Sequence, residues 1–280
     1  MIQSKAQRIR QGIAITLPLT LMLLFILFPF YWCINTSLKS QKEIVSRTVN
    51  YWPASASFDN YVRAWKNVGF SKYFLNSVII AVTVMLCIII IAILMAYAMT
   101  RFKFKGKPAV LLLLLCTQFL PKAMLLVPLF NTFKALQLIN SQAALVISYI
   151  AFQLPFNVVL MTGFLADIPY EIEEAAMIDG CNRLQAIARV ILPILVPAIV
   201  AVGAFSFIDA WKEFLFALMF INDPNRMTIP VGLSYMLGEY GVEYATLAAG
   251  CLIAVIPPVL LFSYIQKYLV QGLSAGAVKG

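Results

Sequence analysis

Histidine is absent from this 280-residue chain. That argues against haem and metal sites ligated by imidazole and against proton relays built on it. Charge is nearly as scarce, with Asp, Glu, Lys and Arg at 12% of residues against about 25% in a soluble domain. The cysteines, Cys33, Cys87, Cys116, Cys181 and Cys251, are scattered without a CxxC and read as small apolar packing residues. No phosphate-binding loop is present. Gly106-Lys107 runs into Pro108 and lacks the upstream glycine such a loop needs, so the chain has no ATP site of its own. No nucleophile–base cluster appears, so neither catalytic residues nor a metal site are expected. There is no repeat of 20–50 residues and the halves are not duplicates, which counts against a self-contained inverted-repeat carrier.

What fills the space is apolar: 62% of the residues are hydrophobic. Six long runs stand out, at about 12–34, 73–99, 108–130, 141–165, 190–211 and 244–266. A span needs about 20 apolar residues, and lipid tolerates only helices or closed barrels. The runs are too long for barrel strands, so the chain is expected to be an all-α integral membrane protein with six transmembrane helices. The first run follows Lys5, Arg8 and Arg10 and is too long for a signal-peptide core, so it reads as a retained span. The expected organisation is residues 1–72 as N-terminal tail, first span and exterior loop, and residues 73–280 as a core with five spans. Charge near the span ends orients it. The basic N-terminus and Arg101-Phe-Lys103-Phe-Lys105-Gly-Lys107 place both termini and the 100–107 loop in the cytoplasm, although loop 35–72 also carries Lys39, Lys42, Arg47, Arg63, Lys66 and Lys72. The net charge of +9 thus suggests cytoplasmic anchoring in the membrane, not a nucleic-acid partner.

The segment from about 167 to 193 departs from this pattern. It opens Asp167-Ile-Pro-Tyr-Glu171-Ile-Glu173-Glu174-Ala-Ala-Met-Ile-Asp179-Gly180, with five of the chain's 12 acids inside 13 residues. Pro169 suits a first helical turn, and the glutamates sit near the positive end of that helix. Gly180 can take the left-handed conformation that stops it. Asn182 can cap a second helix running to Pro193. Ala175 and Ala176 leave a small, close-approach surface. A solvated inner loop is the plain alternative, but it would need neither the alanine pair nor the paired helix punctuation.

The order Glu174-Ala175-Ala176, three residues, Gly180, nine residues, Val190-x-Leu192-Pro193 resembles the "EAA loop" of permease subunits of bacterial ABC importers, with Val190 where that family has Ile. Trp211-Lys-Glu-Phe214 resembles a segment after the fifth span of carbohydrate permeases. The tail Gly272-Leu-Ser-Ala-Gly-Ala-Val-Lys-Gly280 resembles the end of the second permease subunit of maltose-type importers. The resemblance implies a type I ABC importer permease in a bacterial cytoplasmic membrane. It implies ATP-driven uptake of a carbohydrate, an oligosaccharide in particular. The implied partners are a second homologous permease, a dimeric cytoplasmic ATPase that binds ATP and magnesium, and an extracytoplasmic solute-binding protein. This chain would bind no cofactor itself. Glu174 would contact the ATPase, Gly180 would permit the turn, and Ala175, Ala176, Asp179, Leu192 and Pro193 would complete the coupling element. Glycerol-phosphate permeases share much of the pattern. An ion-coupled carrier is the remaining alternative.

Polar residues within the runs are candidates for the substrate path: Gln118, Gln153, Asn157, Ser206 and Asp209, with Lys122 nearby. A sugar needs neutral hydrogen-bond partners and aromatic faces. Hydrogen bonding between spans, and snorkelling for Lys122, would account for the same residues. Pro155 is the best placed of the span prolines for a gating hinge, because its helix leads into the 167–193 segment. Loop 35–72, with Tyr51, Trp52, Phe58, Tyr61 and Trp65, reads as an interfacial aromatic belt or as a platform for the binding protein. A short interfacial helix is expected over 128–140.

Overall fold

The structure, a computed structural model, describes residues 5–237 and 242–277, with side-chain surroundings over 14–237 and 242–267. Every regular element among the described residues is helical. The longer helices are α1 (Lys5–Ser37), α2 (Phe70–Arg101), α3 (Lys107–Thr117), α4 (Leu126–Ala135), α5 (Gln142–Ala166) and α6 (Tyr170–Ile178). After these come α7 (Arg183–Ile194), α8 (Val196–Trp211), α9 (Leu215–Phe220), α10 (Ile229–Tyr235) and α11 (Tyr244–Ala277). The chain forms two compact units, Met1–Phe70 with Leu233–Val255, and Ser71–Gly232 with Ile256–Gly280.

Among the described residues, four helices are long and apolar enough to cross a membrane, and the number rises to six when each of two bent pairs is taken as one span. The expected runs at 108–130 and 190–211 are therefore broken, not continuous. The first breaks between Thr117 and Lys122 with a bend of 91°. Leu120 precedes Pro121, and the residue before a proline is pushed out of the helical region. The chain resumes as a 3-10 turn, Lys122–Leu125, and then α4, so the short helix expected over 128–140 begins and ends earlier. The second pair bends by 76° at Leu195. Pro193 and Pro197 flank that point, and each removes a backbone N–H and crowds the carbonyl four residues back. A π turn, Ile187–Ile191, just ahead of Pro193 absorbs part of the mismatch.

In the larger unit α5 is the central element, with α3 and α8 packed on it. Its Leu145, Tyr149, Val158, Met161 and Leu165 are buried. Gly203 of α8 lets Ile89 and Met85 of α2 lie close; a Cβ there would meet Ile89 Cδ1 at 3.2 Å. Small residues permit such approach where lipid supplies no hydrophobic drive between helices. After α8, Glu213 turns the chain. Its carboxylate accepts the Phe216 and Ala217 N–H groups at 3.0 and 3.2 Å, and the Tyr149 hydroxyl at 2.6 Å. The Trp211–Phe214 segment is thereby pinned to α5, while Trp211 stacks on Phe207 and meets Phe74 edge-on.

In the smaller unit no residue of α1 from Ala14 to Ile34 is buried, whereas Asn35 and Ser37 near its end are. A helix apolar all round is suited to lipid. Loop 35–72 is ordered. Asn60 donates to the Ser37 and Lys39 carbonyls, both at 2.8 Å, and Tyr31 and Trp32 meet Trp52 and Tyr51 edge to face.

Candidate functional site

Two places collect the residues singled out in the sequence, both in the larger unit. The first is the segment 167–193. Pro169 occupies the N-cap of α6, one position ahead of the expected first turn. Gly180 has φ +91°, the left-handed value expected. Its N–H donates to the Met177 carbonyl and the Cys181 N–H to the Ala176 carbonyl, each at 3.1 Å, which together make a Schellman stop. Asn182 caps α7 in a reciprocal box with Gln185: Gln185 N–H donates to Asn182 Oδ1, and Asn182 N–H to Gln185 Oε1, both at 2.9 Å. Two rigid helices joined by one glycine follow directly from these local choices.

Helical spacing then divides α6 into two faces. Glu171, Glu174, Ala175 and Ile178 are exposed, at positions i, i+3, i+4 and i+7. Asp179 and Gly180 are exposed beside them, and Ile178 and Leu184 stand out at 86% and 76% exposure. Glu173 and Ala176 face inward and are buried. Ala176 was expected on the contact surface with Ala175, but the three-residue step from Glu173 carries it to the inner side. Leu192 is half-buried and Pro193 exposed, at the bend into α8. An exposed patch of three carboxylates, two small residues and two bare aliphatic chains is a shape that can be docked.

Sequence reasoning missed Glu173. Its Oε2 accepts from Arg101 Nε at 3.0 Å, and its Oε1 accepts from the Tyr97 hydroxyl. Arg101 also donates to the Ile168 carbonyl at 3.0 Å and lies over the Tyr170 ring. Buried carboxylates are almost never found unpaired. An acid three residues ahead of a buried alanine, with Arg101 closing a span, was the available signal.

The second place is a groove of about 400 Å³ lined by Gln118, Lys122, Phe152, Gln153, Phe156, Asn157, Phe205, Ile208, Asp209 and Lys212. Four of the five path candidates, Gln118, Gln153, Asn157 and Asp209, line it. Ser206 does not; it is fully buried and donates to the Val202 carbonyl at 2.8 Å. The break of the first bent pair, the mid-helix turns around Pro155 and the last turns of α8 supply the lining. Lys122 and Lys212 both pair with Asp209, at 3.2 and 3.3 Å. Asn157 Nδ2 donates to the Gln153 carbonyl at 2.8 Å, which fixes the amide's orientation. That leaves Asn157 Oδ1 without a partner, as is Gln153 Oε1, although these side chains are only 2% and 6% exposed. Phe156 and Phe205 meet edge-on at 5.8 Å on the same lining. Unpartnered amide oxygens can accept hydroxyl donors, and the phenyl rings beside them can cover apolar faces.

A bundle of broken and continuous apolar helices, carrying a paired-helix projection at one place and a polar groove at another, defines a membrane permease component. The chain belongs to the family described as the binding-protein-dependent transport system inner membrane component, which matches residues 88–275. It is 34% identical to the sulfoquinovosyl glycerol transport system permease protein SmoH of Agrobacterium fabrum, over 91% of this chain and 89% of that protein. It is likewise 34% identical to the trehalose/maltose transport system permease protein MalG of Thermococcus litoralis, over 93% and 94%. The fold matches a chain of a bacterial ABC transporter involved in alginate import, with a TM-score of 0.81 at 22% identity, over 96% of this chain and 99% of that one. The expected fold class, six-span helical membrane protein of ABC importer permease architecture, therefore stands, with two spans bent.

Proposed function

We propose that the chain is one of two homologous permease subunits of an ATP-driven importer that takes up a carbohydrate, an oligosaccharide in particular. Relatives named for sulfoquinovosyl glycerol and for trehalose and maltose support the carbohydrate class. In this reading a solute-binding protein delivers the sugar outside. A dimeric cytoplasmic ATPase, holding ATP and magnesium, docks on the segment 167–193. An even number of spans and the basic inner segments put both termini in the cytoplasm.

The observation that carries the coupling role is the outward face of α6, where Glu174, Ala175 and Ile178 are exposed on a helix stopped rigidly at Gly180. Glu174 accepts charge-assisted hydrogen bonds from the ATPase, Ala175 allows close approach, and Asp179 extends the acidic edge. Ala176 supports the helix from within. Leu192 and Pro193 hand the movement to α8 at the bend. The groove forms this subunit's share of the path, with Gln118, Gln153 and Asn157 receiving sugar hydroxyls and Asp209 held between two lysines.

The test replaces Glu174 by Lys and by Gln, with the same changes at Glu171 as controls. Each charge-assisted bond is worth about 1.5–3 kcal/mol, roughly ten- to hundredfold in affinity. Glu174→Lys should weaken ATPase co-purification or uncouple hydrolysis from uptake, and leave binding-protein contacts intact. Equal, mild effects at both positions would reduce Glu174 to a helix-dipole residue worth about 0.3–1 kcal/mol.

A further inference from the structure

We propose that Arg101, Glu173 and Tyr97 are positioning residues that lock the coupling helix α6 to the end of α2, so that the two move as one body. This rests on the coupling reading of α6. Tyr97 and Arg101 are one turn apart on α2 and present one face. From that face two groups reach the Glu173 carboxylate: the Tyr97 hydroxyl and, at 3.0 Å, Arg101 Nε. The second arm of the same guanidinium holds the Ile168 carbonyl at 3.0 Å. Ile168 and Pro169 form the connection between α5 and α6, the place where a pushed α6 would otherwise swing. The guanidinium lies 5.7 Å from the centre of the Tyr170 ring, the first residue of α6. One residue beyond Arg101, Phe102 lies under the Arg183 guanidinium at 5.3 Å, so α7 is held from the same end.

Stability alone does not explain the arrangement. The carboxylate is fully buried and the Arg101 side chain nearly so. A buried ion pair is commonly no more stabilising than well-packed apolar residues of the same volume. What the pair adds is direction. Arginine's planar fork fixes two acceptors at once, one on the helix and one on its hinge, which neither an apolar pair nor a lysine can do. The outward face of α6 meets the partner while its inward face transmits.

Nitroxide labels at Ile172→Cys on α6 and Leu94→Cys on α2, both exposed positions, report the lock in the assembled transporter on a background otherwise free of cysteine. Pulsed electron resonance should give one narrow distance, unchanged by ATP with vanadate. In Arg101→Met/Glu173→Leu, hydrolysis of ATP should persist while the distribution broadens at least twofold and shifts with nucleotide. A merely space-filling pair would leave the nucleotide dependence untouched, so a distribution as narrow and fixed as the parent's overturns the proposal. Should the double variant not assemble, Arg101→Lys decides. It keeps the charge and loses the fork; broadening supports the lock and an unchanged distribution overturns it. Glu174→Lys, run in parallel, separates the two claims. Normal ATPase docking in that variant beside broadening in the double variant removes the coupling role of α6 and leaves the lock standing.

Discussion

Asn157 gives the sharpest separation between a residue that holds helices together and one kept for cargo. Its side chain is buried in the middle of α5 on the groove lining, with Nδ2 bonded to the Gln153 carbonyl and Oδ1 without a partner. An unsatisfied buried acceptor costs about 1–3 kcal/mol, and the Nδ2 bond returns about 0.5–1.5 kcal/mol. Asn157→Leu is near in volume, removes the orphan acceptor and loses that bond. Its net effect on stability should lie between a loss of about 0.5 kcal/mol and a gain of about 2.5 kcal/mol. If Oδ1 instead serves passing hydroxyl groups, uptake of the sugar on which transporter-bearing cells grow should fall at least tenfold. Thermal unfolding of the purified complex and initial uptake rates are measured on the same preparations. Ser206→Ala is the control, since that hydroxyl also bonds within its own helix but does not line the groove. An Asn157→Leu protein that unfolds much earlier would show that the amide serves the stability of the fold. One that is stable and transports at the parental rate would refute the path assignment.

Two further outcomes are expected. Gly180→Val should strain the left-handed turn by about 1–2 kcal/mol or more, purely through the backbone, because a Cβ there meets nothing within 4 Å; spans should still insert while assembly or uptake fails, and normal uptake would place the turn elsewhere. On a cysteine-free background, a thiol restored at Cys181 should label only from the cytoplasm and one at Asn50→Cys only from outside; cytoplasmic labelling at 50 would break the topology at α1.

The sequence made local punctuation legible and non-local pairing illegible. Pro169, Gly180 and Asn182 act on their own neighbours, so residue type suffices to place a cap, a stop and a second cap. Which acid of Glu171, Glu173 and Glu174 faces inward depends on where the body lies, and Arg101 is 72 positions away from its partner. Lys122 and Asp209 were each visible as polar residues in apolar runs, while their ion pair spans 87 positions. Hydrophobic length predicted spans at 108–130 and 190–211, but length carries no bend. The breaks follow from prolines whose kinking effect depends on whether neighbours can take up the freed backbone groups.

The bare surface of α1 bears on the order in which the protein is made. From Gly12 to Ile34 the helix contains no Asp, Glu, Lys, Arg, Asn or Gln, so this stretch brings no strongly polar side chain into the lipid. It can partition into lipid during synthesis and remain there alone. The helix α5 is in the opposite position. Half of its window is buried, and Gln153 and Asn157 sit in its central turns, where lipid offers amide groups nothing. It has to be handed over to α3, already made, and to α8 as that helix emerges. Errors of biogenesis should therefore concentrate at α5, whose central turns carry buried amides, and spare α1, whose apolar stretch carries none.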